Sequence, residues 1–384
     1  MKKIWPFTFY FLYFAAFSSL LPFFVIFYQH LGFSGTQIGL LTGVPPLITL
    51  FGAPLGTGLA DSTQRHRLIM GIGIAVAIAV ALTLSAMTDF IPVFILIILF
   101  NIFMSPVASL SDSGTMSMLG QERGMYGRIR LGGTIGWGLF APIAGVLVQN
   151  LGLKIAFWVF SAIMLLNLLV SQKFVFAAPD GHTASEGGLR KLLKNRNWIF
   201  FLLFALLGGV GAFSVASYLY AYMAELGASE STMGFALTIA TVTELPVFFF
   251  GNHLIKRFTS YGLFMIALVL IGVRSLLYFL VDSPSMVLIV QVFSGMVFPA
   301  MWLAGVAYAD ENAPAGSKST AQGVFGAVTF GFGSAIGGFI GGLLLESVGG
   351  RGMFLVFGIF ILAGMAIIEA VRRIIPDNTV HQPL

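Results

Sequence analysis

Cysteine is missing altogether from the 384 residues, so the chain can form no disulfide, thiolate metal site or thiol nucleophile. Charge is almost as scarce, with Asp, Glu, Lys and Arg together making up 9% of the chain. That excludes an ordinary soluble domain, in which about a quarter of residues are charged. The five histidines, His30, His66, His182, His253 and His381, are scattered without metal-ligand spacing, and we read them as interfacial or loop residues. No GxxxxGK[ST] pattern occurs, so ATP is not expected as the energy source. No nucleophile, metal or redox constellation stands out either. The expectation is a protein that is not an enzyme and needs no cofactor.

What the chain does have is apolar length. Hydrophobic residues reach 58% and mean hydropathy is +0.95. Twelve charge-poor runs, at about 5–28, 36–60, 68–88, 91–111, 131–149, 155–172, 197–223, 231–254, 258–281, 285–309, 319–345 and 352–368, approach or exceed the roughly 20 residues a helix needs to cross a bilayer. Barrel strands would show about ten alternating residues instead. The fold class expected is therefore an all-α membrane protein of twelve transmembrane helices. The first run is too long for a signal-peptide core and lacks a small-residue cleavage site, so it reads as a retained helix.

The net charge of +5 could suggest nucleic acid, but the placement of the basic residues argues for a membrane protein with no nucleic-acid partner. With the N-terminus inside, every Lys and Arg falls on cytoplasmic segments except Lys154, Arg351 and the in-span Arg274. This bias predicts both termini in the cytoplasm, and the expected location is a bacterial cytoplasmic (inner) membrane.

Four ionisable residues stand out within the membrane part: Asp112, Arg130, Glu244 and Arg274. A charge in hydrocarbon costs several kcal/mol, so such groups face a cavity, pair with one another, or serve transport and proton relay. One acid and one base fall in each half of the chain.

The main polar connection, 174–196, predicts three parts: an N-terminal six-helix bundle over 1–173, a cytoplasmic linker over 174–196 and a C-terminal six-helix bundle over 197–384. Within the linker, Leu189–Asn197 reads as a short amphipathic surface helix. The halves also repeat. LGFSGTQIGL from Leu31 is echoed 195 residues later by LGASESTMGF from Leu226. Leu151-Gly152 before Phe157 is echoed by Val348-Gly349 before Phe354. Duplicated six-helix halves are a known transporter architecture with the substrate site between them. Gly333, Gly337 and Gly341, Gly132 and Gly136, and Gly52 and Gly56 recur every four residues, a spacing that lets helices pack closely.

Two segments resemble a known family. Pro54 to Asp61 with Arg65 and Arg67 resembles the loop 2–3 motif of the major facilitator superfamily, although Thr57 stands where a glycine is usual. The resemblance implies that Asp61, Arg65 and Arg67 form a gating latch on the cytoplasmic side. Tyr126 to Trp137 (YGRIRLGGTIGW) resembles the start of the fifth helix in the lactose permease group, which includes nucleoside and phenylpropionate proton symporters. The likeness implies two six-helix bundles related by a pseudo-two-fold axis, a sugar-binding acid–arginine pair at Asp112 and Arg130, and a stacking indole at Trp137. The residues allow this, since Arg130 offers a donor fork, Asp112 offers acceptors, and Trp137 lies two helical turns beyond Arg130 on the same face. A structural ion pair with a packing tryptophan is the other reading of the same residues.

The C-terminal half departs from that group. Gln291, Ser294 and Val297 replace its span 10 cluster, and Ala212 and Val215 replace two span 7 aspartates, while Arg274 matches its span 9 arginine. Glu244 is then the candidate proton carrier with Arg274 beside it; a permanent Glu244–Arg274 ion pair is the other reading. The expected function is a secondary transporter that takes up a sugar, glycoside or nucleoside with protons and acts as a monomer. The alternative is a proton-coupled drug or metabolite exporter, to which Gly138, Pro142 and Gly145 partly point.

Overall fold

The computed structural model describes residues 3–176, 188–314 and 317–374. Within them the chain forms twelve apolar helices and no strands. These are α1 (Ile4–His30), α2 (Gly35–Thr63), α3 (His66–Leu84), α4 (Phe90–Leu119), α5 (Tyr126–Leu151), α6 (Ile155–Ser171), α7 (Arg196–Glu225), α8 (Glu230–Phe258), α9 (Ser260–Leu280), α10 (Pro284–Glu311), α11 (318–348) and α12 (350–374). The last two are continuous apart from a break at Gly349, whose φ of 70° no helix tolerates. At 17 residues α6 is the shortest, still within the range that spans a bilayer.

Residues 177–187 of the expected linker lie outside the described residues, as do Lys2, His182 and His381. Its end is seen as the short helix Gly188–Lys194. Several helices outrun their charge-poor runs, two of them at candidate site residues. α4 continues past Ser111 to Leu119, and α5 begins at Tyr126 rather than near 131. Asp112 and Arg130 are thus helical residues, because a helix needs apolar sides only where it meets lipid.

The repeat is visible atom by atom. Gly32 and Gly227 both adopt positive φ, 74° and 76°. Phe33 N–H reaches back to Tyr28 O and Ala228 N–H to Met223 O, at 3.1 and 2.9 Å. Each is the six-to-one bond that ends a helix at a left-handed glycine. Ser34 and Ser229 then cap the following helices, their hydroxyls accepting from Gln37 N–H and Thr232 N–H. Such caps are worth about 1 kcal/mol each.

Lys3 pairs with Glu122, and Arg196 donates to Arg372 O at 2.7 Å, so one face of the bundle carries the start of α1 and the end of α12. We call it the terminal face, and the other the distal face. The two sets of six helices meet toward the distal face. There α2 packs on α11, α5 on α8, and the end of α1 on α7. Small residues make the approach possible: a Cβ on Gly338 would sit 2.7 Å from the Thr42 carbonyl carbon, and one on Gly234 would sit 2.7 Å from Pro142 Cα. Toward the terminal face α4 has no substantial packing with the last six helices. A cleft between the halves opens there.

Candidate functional site

α5 brings two of the predicted residues to the cleft. Leu131, Ile135, Leu139, Ile143 and Val146 form its exposed apolar stripe. Gly132 and Gly136 press on α1, and Gly138 and Gly145 press on α8. The remaining inward strip carries Arg130, Thr134 and Trp137, all half-buried. Trp137 makes an edge contact with Phe14 at 6.3 Å.

Arg130 and Asp112 are neighbours of one tyrosine, not of each other. The expected direct ion pair does not form: no Asp112–Arg130 contact within 4.0 Å occurs among the described residues. Asp112 Oδ1 accepts from the hydroxyls of Tyr10 at 2.5 Å and Tyr126 at 3.0 Å. The Arg130 guanidinium lies against the faces of Tyr10 and Phe14, 4.8 and 4.4 Å from their ring centres. Rings attract a cation through their quadrupole. The physical reason for the separation is thus that Tyr10 satisfies both charges at once, the acid with its hydroxyl and the base with its ring.

Glu244 is placed by the same reasoning on α8. Phe235, Val242 and Phe249, seven residues apart and 53%, 57% and 82% exposed, mark the outward stripe. Two residues beyond Val242, Glu244 lies about 200° further round the helix, on the inward side. No hydrogen bond or ion pair to Glu244 occurs among the described residues. The Glu244–Arg274 pair is therefore not formed. Arg274, 6% exposed, instead donates to Ser294 Oγ at 3.2 Å and to Gly211 O at 3.3 Å. Tyr278 joins this network through its hydroxyl, which lies 3.3 Å from Ser294 Oγ and donates to Gln291 Oε1 at 3.0 Å. From α9, Arg274 thus contacts both α7 and α10 inside the bundle.

The loop residues also part company. Asp61 Oδ1 meets His66 Nε2 at 2.8 Å, and the His66 ring stacks on Phe176. Arg65 and Arg67 are exposed. No hydrogen bond or ion pair from Asp61, Arg65 or Arg67 reaches the last six helices among the described residues. The contacts between the halves that the resemblance implies for these residues are not formed among the described residues.

Several cleft residues carried no sequence signal. Tyr10, Phe14 and Tyr126 are aromatic residues in an aromatic-rich chain. On the other half, Phe330 of α11 gathers Phe213 at 5.1 Å, Trp302 at 5.1 Å and Phe298 at 6.4 Å. Phe298 lies two residues beyond the exposed Met296, on the inward side of α10. Around Phe330, α11 runs as a π-helix over Ala327–Gly333, a form that often marks functional sites.

The comparisons agree with this architecture. Residues 5–356 match the family model described as the MFS_1 like family. The maltose permease of Geobacillus stearothermophilus is 29% identical over 379 residues, covering 96% of this chain and 93% of its own. The probable 3-phenylpropionic acid transporter of Escherichia coli (strain K12) is 25% identical over 361 residues, covering 93% and 94%. Among solved structures, that of the nucleoside transporter NupG superimposes with a TM-score of 0.86 at 18% identity, covering 97% of this chain and 99% of that one. With twelve helices in two sets of six around a central cleft, the chain belongs to the MFS_1 like family of major facilitator transporters, multi-pass membrane proteins that are not enzymes.

Proposed function

We propose that this chain takes up a small ring-containing solute together with protons, by alternating access, across a bacterial inner membrane with both termini in the cytoplasm. The observation that supports the reading is that α5, with Arg130 and Trp137 on its inward strip, packs on α8, which carries Glu244 on its inward side. An indole offers a stacking face, the guanidinium a donor fork, and Glu244 a carboxyl with no partner among the described residues, which suits a group that loads and releases a proton. With the basic loops in the cytoplasm, the packed distal face is the outer one, and the conformation is open to the inside. Sugars, nucleosides and ring-bearing acids all suit such a cleft, and relatives named for maltose and 3-phenylpropionic acid support that range. The protein acts as a monomer and needs no cofactor beyond the coupling proton.

The test uses proteoliposomes and whichever of maltose, uridine or 3-phenylpropionate the native protein transports. Glu244→Gln is expected to abolish uphill accumulation driven by a pH gradient while leaving exchange across equilibrated vesicles intact, because an amide mimics the protonated acid but cannot cycle. Retained uphill transport rules out Glu244 as the carrier. Uphill movement out of the compartment bounded by the terminal face would establish the exporter reading instead, for which the close packing of Gly145 and Pro142 on α8 is the supporting observation.

A further inference from the structure

We infer that the solute carries a carboxylate, and that Arg130 reads it. The inference rests on the transporter reading above and narrows its substrate class.

Arg130 reaches the cleft without a protein acceptor: among the described residues no hydrogen bond leaves its guanidinium and no carboxylate lies within 4.0 Å. The contrast with Arg274 is informative. That arginine is buried and donates to Ser294 and Gly211 inside its own half, as a structural cation does. Arg130 is half-buried, with its guanidinium carbon over the rings of Tyr10 and Phe14. With no acceptor on the protein among the described residues, the N–H edge of the guanidinium is left for a ligand. A carboxylate matches that edge with two parallel charge-assisted bonds, which a neutral hydroxyl cannot reproduce.

Asp112, the acid that would otherwise neutralise Arg130, is engaged elsewhere. Two tyrosine hydroxyls donate to its Oδ1, which disperses its charge and leaves Oδ2 for a donor on the solute. The rest of the cleft lining favours a ring. Trp137 stands two turns along α5 from Arg130, about 10 Å at 1.5 Å per residue, and the other half contributes Phe213, Phe298, Trp302 and Phe330. One cationic edge with aromatic surface on both sides fits a ring-bearing acid better than a polyhydroxylated sugar, which needs several donors and acceptors around its rim.

The experiment compares ligands of matched shape on the purified full-length protein in detergent. Binding is followed by thermal shift, because a ligand that binds the native state raises its stability, and by calorimetry. The probes are 3-phenylpropionate, its uncharged amide, maltose and uridine. The acid is expected to bind at least about tenfold more tightly than the amide, the scale of a hydrogen bond to a charged group. Arg130→Gln should remove that preference, and Arg130→Lys should restore part of it. The comparison in the native protein stands alone if the variants fail to fold. Equal binding of acid and amide, or no binding of the acid, overturns the inference. If maltose or uridine binds and is carried while the acid does not bind, the inference fails and the transporter reading stands. If the native protein moves none of the four across a vesicle membrane, yet binds the acid through Arg130, the site assignment holds and the transport reading is the one that fails.

Discussion

The carboxylate of Glu346 in α11 accepts a hydrogen bond from the backbone N–H of Gly35, the first residue of α2, at 2.8 Å. The bond joins the two halves at the distal face. Its acceptor sits at a helix N-terminus, where unpaired N–H groups and the helix dipole favour negative charge, typically by 0.3–1 kcal/mol and more when partly buried. Beside it, Thr42 Oγ1 lies 2.8 Å from the Tyr218 hydroxyl and donates to Gly338 O at 3.1 Å.

Glu346→Gln should therefore loosen the distal seal. A single cysteine introduced at Thr134 on the inward strip of α5 would report it, because the native chain has none to interfere. Labelling by an impermeant maleimide presented to the distal face is expected to speed up about two- to fivefold, the factor for about 0.5–1 kcal/mol. An unchanged rate would mean that the bond does not bias opening.

Gly338→Val should act more strongly in the same direction. The added Cβ would meet backbone atoms of Thr42 and Gly43 at 2.7 and 2.8 Å, and backbone cannot yield as a side-chain tip can. The variant is expected to disfavour the sealed conformation and to slow transport while keeping its expression level. Labelling of the same Thr134 cysteine checks the first part and uptake the second.

Tyr10→Phe removes the hydroxyl from Asp112 but keeps the ring beneath Arg130. A hydrogen bond to a charged group contributes about 1.5–3 kcal/mol, so the variant should lower the midpoint of thermal unfolding. Combined with Asp112→Asn, the losses should be far from additive, since both changes break one interaction. Additive losses in the double-mutant cycle would separate the two residues.

Trp137→Leu is expected to weaken ligand binding more than Trp137→Tyr, because an aromatic replacement keeps a stacking face. Calorimetry with the bound acid or sugar decides, and equal losses would reduce Trp137 to a packing residue.

Arg274→Met should change stability by less than about 2 kcal/mol, because no acid partner is left unpaired and the side-chain volume is nearly kept. A loss of several kcal/mol in a denaturation series would show that its bonds to Ser294 and Gly211 hold the bundle.

Composition and spacing alone carried the fold a long way. Long apolar runs in a chain with few charges can only be membrane helices, and the Leu-Gly-x-Ser turns at 31–34 and 226–229 set the same helix stop and start in both halves because a left-handed glycine and a serine cap act locally. Asp112, Arg130, Glu244 and Arg274 stood out for a similarly local reason, the cost of charge in hydrocarbon. Which of them meet was decided only by tertiary packing. Tyr10 lies 102 residues from Asp112, and its hydroxyl and ring divide the acid from the arginine in a way no spacing records. The same holds for Ser294 and Gly211, which accept from Arg274, while Glu244 has no partner among the described residues. Hydrogen bonds and ring stacking are settled within an ångström or so, a precision set by how twelve helices pack rather than by how their residues are ordered.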